Sequence, residues 1–264
     1  MTLATFVHIS DLHFGLIDSD TFDAEACQLW AMIPKFDGLL GHRYSSLVLL
    51  ERFFGGKLKD DLPLLIVTGD ITSKGHEEEF RIANDYLGDE LEFPDHSSVG
   101  LATADWKNWK GWAIPGNHDH WPGHNTVLGR PTDAFKNCFM NLPAITELQI
   151  PSTSYRIRFL RIDTDRDVSY YWLDRFNARG CFVSELKALS EMIRDLPPAS
   201  VTVLCLHHSQ AKAGYSLAID IKSRDALNNF IIDNEVSVLL SGHIHNPPLV
   251  KASRPLMAPV PGNT

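Results

Sequence analysis

The chain of 264 residues has 24 lysines and arginines against 33 aspartates and glutamates, and this net charge of −9 argues against a protein that binds nucleic acid through many phosphate contacts. Hydrophobic residues make up 44% of the sequence and charged residues 22%, which excludes a largely disordered chain. No apolar run approaches the roughly 18 residues of a membrane span, and the first residues lack the basic start of a signal peptide, so we expect a cytoplasmic protein.

Apolar runs and helical spacing alternate along the chain, which predicts an α/β fold. The runs that predict strands are residues 3–9, 62–68, 112–115, 154–162, 201–206 and 236–240. The segments with helical spacing are residues 22–33, 44–54, 77–91, 132–142, 184–196 and 223–234. Charged and apolar residues alternate over 154–162, which favours a half-exposed strand, and the charges of 77–91 favour a solvent-facing helix.

The segments between these elements complete the predicted organisation. Gly55-Gly56 predicts the end of the second helix, and residues 95–110 are typical of a loop. We predict one domain over residues 1–264, because single α/β domains of this length are common. It would contain a helical insertion at residues 14–61 near the site and a proline-rich tail at residues 246–264.

Five of the predicted strands end in side chains that bind metals or carry protons. The five ends are Asp11-Leu12-His13, Gly69-Asp70, Gly116-Asn117-His118-Asp119, His207-His208 and Gly242-His243-Ile244-His245. Because parallel strands of one sheet bring their carboxyl ends to one edge, we expect these side chains to meet in a single site. Trp121 and the aromatic residues 170–172 are candidates for stacking on a substrate, although aromatic residues more often belong to the core.

The spacing and the types of these side chains indicate two metal ions. One residue separates Asp11 from His13, so in an extended backbone both side chains leave from the same face, and the same holds for His243 and His245. The two carboxylate oxygens of Asp70 can bridge a pair of ions. Nitrogen and oxygen ligands without a thiolate favour manganese, iron or zinc, and paired ions of this kind are typical of phosphoryl-transfer sites.

The ordered set of strand ends resembles the full signature of the calcineurin-like metallophosphoesterases over residues 5–245. The matching blocks are Asp11-x-His13, Gly69-Asp70, Gly116-Asn117-His118-Asp119, His207 and Gly242-His243-x-His245. The opening Phe6-Val7-His8-Ile9-Ser10-Asp11-Leu12-His13-Phe14-Gly15 and the double histidine look most like the branch of bacterial cyclic-nucleotide and glycerophosphodiester phosphodiesterases. The resemblance implies a four-layer α/β/β/α sandwich of two mixed β-sheets flanked by helices.

The same resemblance implies a role for each residue of the site. One metal ion is held by Asp11, His13, Asp70 and His245, and the other is held by Asp70, Asn117, His207 and His243. A hydroxide that bridges the two ions attacks phosphorus. His118 stabilises the transition state or protonates the leaving oxygen, and Asp119 orients it. Independently of the family, a histidine beside a carboxylate is suited to supplying a proton near neutral pH.

Two features of the sequence depart from that family pattern. Ser209-Gln210 follows the double histidine where the cyclic-nucleotide branch usually has two prolines, which leaves the substrate open. His208 is an alternative to His207 as the metal ligand. Only residues 246–264 follow His245, which leaves two alternatives: a shortened second sheet, or a second sheet completed by a partner in a homo-oligomer.

The leading interpretation is a dinuclear metal-dependent phosphodiesterase acting on a small nucleotide or glycerophosphodiester-like substrate. A nuclease, a phosphomonoesterase or a protein phosphatase of the same family is the alternative enzyme, although the sequence lacks a basic stripe with aromatic residues that could follow a nucleic-acid strand. A non-catalytic scaffold is a third interpretation, against which the complete ligand set argues. The expected partners are two ions of manganese, iron or zinc and a small phosphoester, without nucleic acid or membrane.

Overall fold

The computed structural model describes the parts of the chain that build two β-sheets and the helices around them. These parts are residues 6–15, 44–57, 64–92, 96–101, 109–121, 131–139, 141–151, 153–168, 178–210 and 218–243. Four features of the sequence analysis lie outside the described residues: the helix predicted at 22–33, the aromatic residues 170–172, His245 and the proline-rich tail.

Strands and helices alternate along the described residues. The strands are β1 (Phe6–Ile9), β2 (Leu64–Thr68), β3 (Leu91–Glu92), β4 (Ser98–Val99), β5 (Ala113–Ile114), β6 (Ala144–Gln149), β7 (Arg156–Arg161), β8 (Val201–Cys205) and β9 (Val238–Leu240). The helices are α1 (Tyr44–Lys57), α2 (Glu77–Gly88), α3 (Asp133–Cys138), α4 (Val183–Ile193) and α5 (Ile221–Asp233). The sequence does not predict β3, β4 or β6, because the first two are only two residues long and β6 mixes polar with apolar residues.

Two separate sheets, rather than one parallel sheet, lie at the centre of the fold. The first has the order β1-β2-β5 with all strands parallel, and Val67 of β2 is paired with Ala113 of β5. The second has the order β6-β7-β8-β9, in which β6 is antiparallel to β7 and the other pairs are parallel. The expectation that all five ligand-bearing ends belong to one sheet is therefore wrong, because β8 and β9 belong to the second sheet.

Three apolar clusters show how the layers pack. Helices α1, α2 and α3 cover the outer face of the first sheet, and α4 and α5 cover the outer face of the second. Between the sheets lie Ile66, Ile114, Phe159, Val203 and Cys205. Phe159 contacts Trp112 edge to face with ring centroids 5.4 Å apart, and burying a side chain of this kind stabilises the fold by about 1.5–3 kcal/mol. The predicted four-layer α/β/β/α architecture is confirmed.

Tertiary packing changes some of the predicted helix ends. Helix α1 continues through Gly55-Gly56 to Lys57, so the predicted stop is wrong. The glycines cost roughly 1 kcal/mol each, and the same helix buries Leu47 and Phe54 against the first sheet. Helix α2 ends at Gly88, earlier than predicted, because Leu91 enters β3.

The predicted half-exposed strand is a central strand in the structure. β7 lies between β6 and β8, and Arg158 within it is only 4% exposed. Its Nε donates a hydrogen bond to Oε1 of Glu147 on the neighbouring strand at 2.8 Å. Arg158 is therefore a buried, paired arginine at one of the charged positions from which the sequence predicts a half-exposed strand. Across the described residues, the structure holds no helix long and apolar enough to cross a membrane.

Candidate metal centre

Hydrogen bonds join the loops after β1, β2, β8 and β9 where the two sheets meet. The carbonyl oxygen of Thr68 accepts a hydrogen bond from Ser10 Oγ at 2.9 Å and another from His207 Nδ1 at 2.8 Å. The amide of His243 donates to Oδ1 of Asp11 at 2.9 Å. These bonds bring strand ends from different sheets into one place, so the convergence expected from the sequence occurs across the two sheets.

Two glycines allow the loops to approach this closely. A Cβ at Gly116 would lie 2.2 Å from Oδ1 of Asp70, and a Cβ at Gly69 would lie 2.5 Å from Nδ1 of His207. Gly69 also has a φ of +88°, which L side chains rarely adopt. Gly69 therefore lets a loop of the first sheet approach His207 in the second, and Gly116 lets two loops of the first sheet approach each other.

Four residues of the predicted ligand set have left-handed backbone conformations. The φ angles are 57° at Asp11, 46° at His13, 49° at Asp70 and 70° at His243. The prediction that Asp11 and His13 leave one face of an extended strand is therefore wrong, and β1 ends at Ile9 before either residue. Asp and His tolerate this region better than most residues, and strained residues of this kind cluster at functional sites.

Two groups of potential metal ligands share the carboxylate of Asp70. Ligand atoms of His13, Asp70 and His118 all lie within 4.8 Å of one another, and so do those of Asp70, His207 and His243. Oδ2 of Asp70 lies 3.8 Å from Nε2 of His13 and 3.2 Å from Nε2 of His207. One carboxylate, 1% exposed, thus faces imidazole rings from several loops.

The two adjacent histidines after β8 have different hydrogen bonds. Nδ1 of His207 must carry a proton to bond the carbonyl of Thr68, which leaves Nε2 directed at Asp70 and 3.2 Å from Nδ1 of His243. His208 instead places Nδ1 2.8 Å from Oγ1 of Thr164 and Nε2 3.1 Å from the carbonyl of Ala178. Both nitrogens of His208 are engaged, so the alternative in which it replaces His207 as a ligand is disfavoured.

Asp11 and Asn117 lie next to the Asp70 groups. The carboxylate of Asp11 accepts the amide of His243 through both oxygens, at 2.9 and 3.0 Å. The side-chain oxygen of Asn117 is buried and has no hydrogen-bond partner among the described residues. A buried amide oxygen is normally satisfied, so a bound cation is a reasonable partner for it.

The surroundings of Asp70 favour its anionic form. Burial opposes ionisation, but the charges of His207, His118 and His13 hold the pKa of Asp70 well below its usual value. Burial likewise opposes charge on His207, and Asp70 with Asp11 raises its pKa to about 10. A cation bound at Nε2 of His207 would compete with a proton for this nitrogen.

Asp119 does not have the contacts expected of a residue that orients His118. Its carboxylate accepts hydrogen bonds from the amides of Ile71, Thr72 and Gly116 and from the hydroxyl of Thr72, at 2.8 to 3.2 Å. Nδ1 of His118 lies 2.8 Å from the carbonyl oxygen of Ser73. The prediction that Asp119 orients His118 directly is therefore wrong, and Ser73 provides that hydrogen bond.

The donors around Asp70 fit a pair of transition-metal ions. They are imidazole nitrogens and carboxylate oxygens in two groups with one shared member, beside the unsatisfied oxygen of Asn117. The facing nitrogens of His207 and His243, 3.2 Å apart, can share only one proton, whereas an ion could accept a lone pair from both. This part of the site could therefore hold the divalent ions expected from the sequence.

A third group of potential ligands was missed by the sequence analysis. Ligand atoms of His120, Asp163 and Asp165 lie within 4.8 Å of one another. The signal was present, because Asp163-Thr164-Asp165 comes directly after Ile162 at the end of β7, much as the other blocks follow their strands. Although burial opposes charge on His120, Asp163 raises its pKa, and burial raises the pKa of Asp165 to about 7.

A cavity of about 330 Å³ lies beside the Asp70 groups. It is lined by Asn117, His120, Trp121, Pro131, Phe135, Asp165, Arg166 and Val168. The indole of Trp121 stacks on the ring of His118, with centroids 4.7 Å apart and planes 24° apart. The cavity therefore adjoins both the predicted proton donor and a predicted metal ligand.

Comparison with known proteins agrees with this arrangement. The model of the calcineurin-like phosphoesterase family matches residues 4–247. No curated protein shows significant similarity to the chain. Since the family match covers nearly the whole sequence, and the fold has the layers that the resemblance implies, the chain belongs to the calcineurin-like phosphoesterase family of metal-dependent phosphoester hydrolases.

Proposed function

We propose that the protein is a phosphodiesterase that hydrolyses a small nucleotide or glycerophosphodiester-like substrate with the help of two metal ions. The observation that carries this proposal is the pair of ligand groups that share Asp70 beside a cavity of about 330 Å³. A cavity of this volume falls at the low end of small-molecule sites, roughly 300–1,000 Å³. It suits a small diester better than a protein or a long nucleic-acid strand.

We propose that Asp70 is shared between the two ions. Asp11 and His13 would complete the first set, together with His245, which lies outside the described residues. Asn117, His207 and His243 would complete the second. Bound at these positions, manganese, iron or zinc ions supply Lewis-acid chemistry: they acidify water and neutralise charge on the phosphoryl oxygens.

His118 is the proposed proton donor to the leaving oxygen. Its Nδ1 proton is held by the carbonyl of Ser73, so Nε2 is the atom that can exchange a proton with substrate. Stacking on Trp121 and edge contact with His13 fix the plane of the ring. A ring held by one hydrogen bond and two aromatic neighbours loses little orientation freedom, which favours general acid catalysis.

Arg166 is the proposed contact for the part of the substrate that does not react. It lines the same cavity as the aromatic residues Trp121 and Phe135, and its side chain is 64% exposed. Its Nε lies 3.8 Å from Oε1 of Glu185. A guanidinium in this position can contact a phosphate oxygen or a polar head group, while the two rings provide a surface for stacking.

The test is a substrate panel run with metal analysis. We expect kcat/KM for bis-p-nitrophenyl phosphate to exceed that for p-nitrophenyl phosphate by at least about tenfold, which corresponds to about 1.4 kcal/mol of additional transition-state stabilisation. Cyclic nucleotides are the third member of the panel. A preference for the monoester would overturn the assignment as a diesterase while leaving the metal-dependent hydrolase intact.

A matched pair of arginine variants tests the cavity. Arg166→Gln should raise KM for the preferred substrate, whereas Arg194→Gln, an exposed position just after α4 and away from the cavity lining, should leave it unchanged. Equal KM values in both variants and the wild type would show that this cavity does not receive the substrate.

A further inference from the structure

The cluster of His120, Asp163 and Asp165 is formed by two loops that pack against each other. Nε2 of His120 lies 2.9 Å from Oδ1 of Asp163, which also accepts the amide of Asp165 at 2.9 Å. Phe135 packs on the imidazole of His120, with ring centroids 4.5 Å apart. The side chains of His120 and Asp163 are only 12% and 7% exposed. The three groups are therefore held in place inside the protein.

Asp165 supplies an independent observation that points to a ligand. The residue is 8% exposed, and its Oδ2 is buried without a hydrogen-bond partner among the described residues. Leaving a buried carboxylate oxygen unsatisfied costs on the order of 1–3 kcal/mol, and more if the group is charged. A cation bound between the two aspartates and the histidine would satisfy it.

His208, a histidine outside the cluster, does not provide the missing partner. Nδ1 of His208 lies 3.9 Å from Oδ2 of Asp165, beyond hydrogen-bond distance. That nitrogen is already engaged with the hydroxyl of Thr164 at 2.8 Å, and Nε2 is directed at the carbonyl of Ala178. Both nitrogens of His208 are thus engaged elsewhere, and neither satisfies Oδ2 of Asp165.

The charges of the cluster also favour a cation. Two carboxylates face one imidazole, so even a protonated His120 leaves either an excess buried negative charge or a buried carboxyl proton. Buried charge of this kind is normally paired or bound to metal. Glu185 holds the loop in place, because its Oε2 accepts the amide of Asp163 at 3.1 Å, and its own charge is offset by Arg166 at 3.8 Å.

We propose that His120, Asp163 and Asp165 form a third cation site, separate from the groups that share Asp70. One imidazole nitrogen and two carboxylates favour a divalent transition ion such as Mn²⁺ over a cation that prefers only oxygen ligands. Three protein ligands leave further coordination positions, and His120 and Asp165 line the cavity that also contains Asn117. A cation here carries positive charge to the same cavity and suits a phosphate group bound in it.

The experiment counts bound Mn²⁺. The wild-type protein, Asp165→Asn and Asp195→Asn are saturated with Mn²⁺, freed of excess metal, and analysed by atomic emission and by electron paramagnetic resonance. Asp165→Asn preserves the shape of the side chain and should bind about one ion fewer per chain than the wild type. Asp195 is an exposed residue after α4, so its variant should bind the wild-type number. Equal counts in the wild type and Asp165→Asn would overturn the proposal.

A second measurement separates the third site from the centre at Asp70. Mn²⁺ should still raise the melting temperature of Asp70→Asn, because a ligand that binds the folded state stabilises it by mass action. The double variant Asp70→Asn with Asp165→Asn should lose that rise. If Mn²⁺ raises the melting temperature of Asp70→Asn and of the double variant equally, then His120, Asp163 and Asp165 form an ion-pair cluster without a metal. If the wild type lacks diesterase activity but still binds one ion more than Asp165→Asn, the proposed function is overturned and the third cation site is not.

Discussion

Asp70 and Asp119 are two buried carboxylates in neighbouring loops, and their surroundings give them opposite properties. Asp70 is 1% exposed and faces imidazole rings, whereas Asp119 is fully buried and accepts hydrogen bonds from backbone amides and the hydroxyl of Thr72. The histidines hold the pKa of Asp70 well below its usual value. Burial and the charge of Asp70 raise the pKa of Asp119 to about 6.

The difference shows that burial alone does not identify a catalytic carboxylate. Asp70 is surrounded by imidazole rings that could also bind metals, so its charge is available to cations. Asp119 uses its oxygens to tie the loop after β2 to the loop after β5, which carries His118. The first carboxylate is suited to binding cations, and the second holds the two loops together. The following variants test this contrast.

Asp70→Asn should have the largest effect. Removing the shared charge should weaken the binding of both ions by more than the roughly 10–100-fold that is typical of losing an outer contact to a metal ligand. Turnover should fall together with the metal content. Metal analysis of the purified variant and titration with Mn²⁺ measure the loss. Retention of both ions at the wild-type affinity would show that Asp70 is not shared.

His118→Ala should reduce turnover by about 10²–10⁴-fold while the metal content stays at the wild-type level. His118 is hydrogen-bonded to Ser73 rather than to Asp119, and it lies within 4.8 Å of ligand atoms of His13 and Asp70. Parallel measurements of kcat and bound metal distinguish its roles. An equal loss of metal would identify His118 as a ligand, as its position in the first group allows.

Asp119→Asn should affect stability more than metal binding. The amides of Ile71 and Gly116 both donate to Oδ2 of Asp119, and an amide nitrogen in its place cannot accept, so two buried donors lose their partner at a cost of about 1–3 kcal/mol each. Urea unfolding at pH 8, where Asp119 is ionised, measures this change. If the variant kept the wild-type unfolding midpoint but lost metal, Asp119 would act in metal binding rather than in holding the loops together.

Glu79→Gln should have the smallest effect, seen in the dependence of stability on pH. Burial raises the pKa of Glu79 from 4.5 to about 7, although the amides of Lys74 and His76 donate to it. A raised pKa in the folded state contributes stability that is fully present below about pH 4.5 and is lost as the pH rises through about 7. The variant should therefore lose less stability than the wild type between pH 5 and pH 8, on the order of 1–3 kcal/mol. If the free energy of unfolding, measured with urea, changes equally with pH in the variant and in the wild type, Glu79 titrates normally.

The sequence predicts the strand ends of the site well, because apolar runs that stop at Asp, His or Gly-Asn are local patterns. The end of β7 is the exception. Its arginines favour a half-exposed strand, a pattern that does not indicate a site at Asp163 and Asp165, although Arg158 is buried and paired with Glu147 on β6. That pairing depends on a strand that the sequence does not predict.

Local conformation and distant partners are harder to predict. The left-handed φ angles of Asp11 and His13 arise from hydrogen bonds between their amides and the carbonyls of Gly69 and Asp70, which are distant in sequence. The role of Asp119 depends on amides 47 and 48 positions earlier. A pattern of residue types within one segment contains no information about such partners, so it predicted the members of the site better than their contacts.

The carbonyl of Thr68 has a mechanical consequence. It takes one bond from Ser10 in the first sheet's loops and one from His207 in the second sheet's loops. The loops of both sheets are thus hydrogen-bonded to the same oxygen atom. A shift of one sheet relative to the other at Phe159 would therefore tilt the ring of His207. A packing defect far from the site would then misalign His207, a proposed metal ligand, rather than lower the stability of the whole fold.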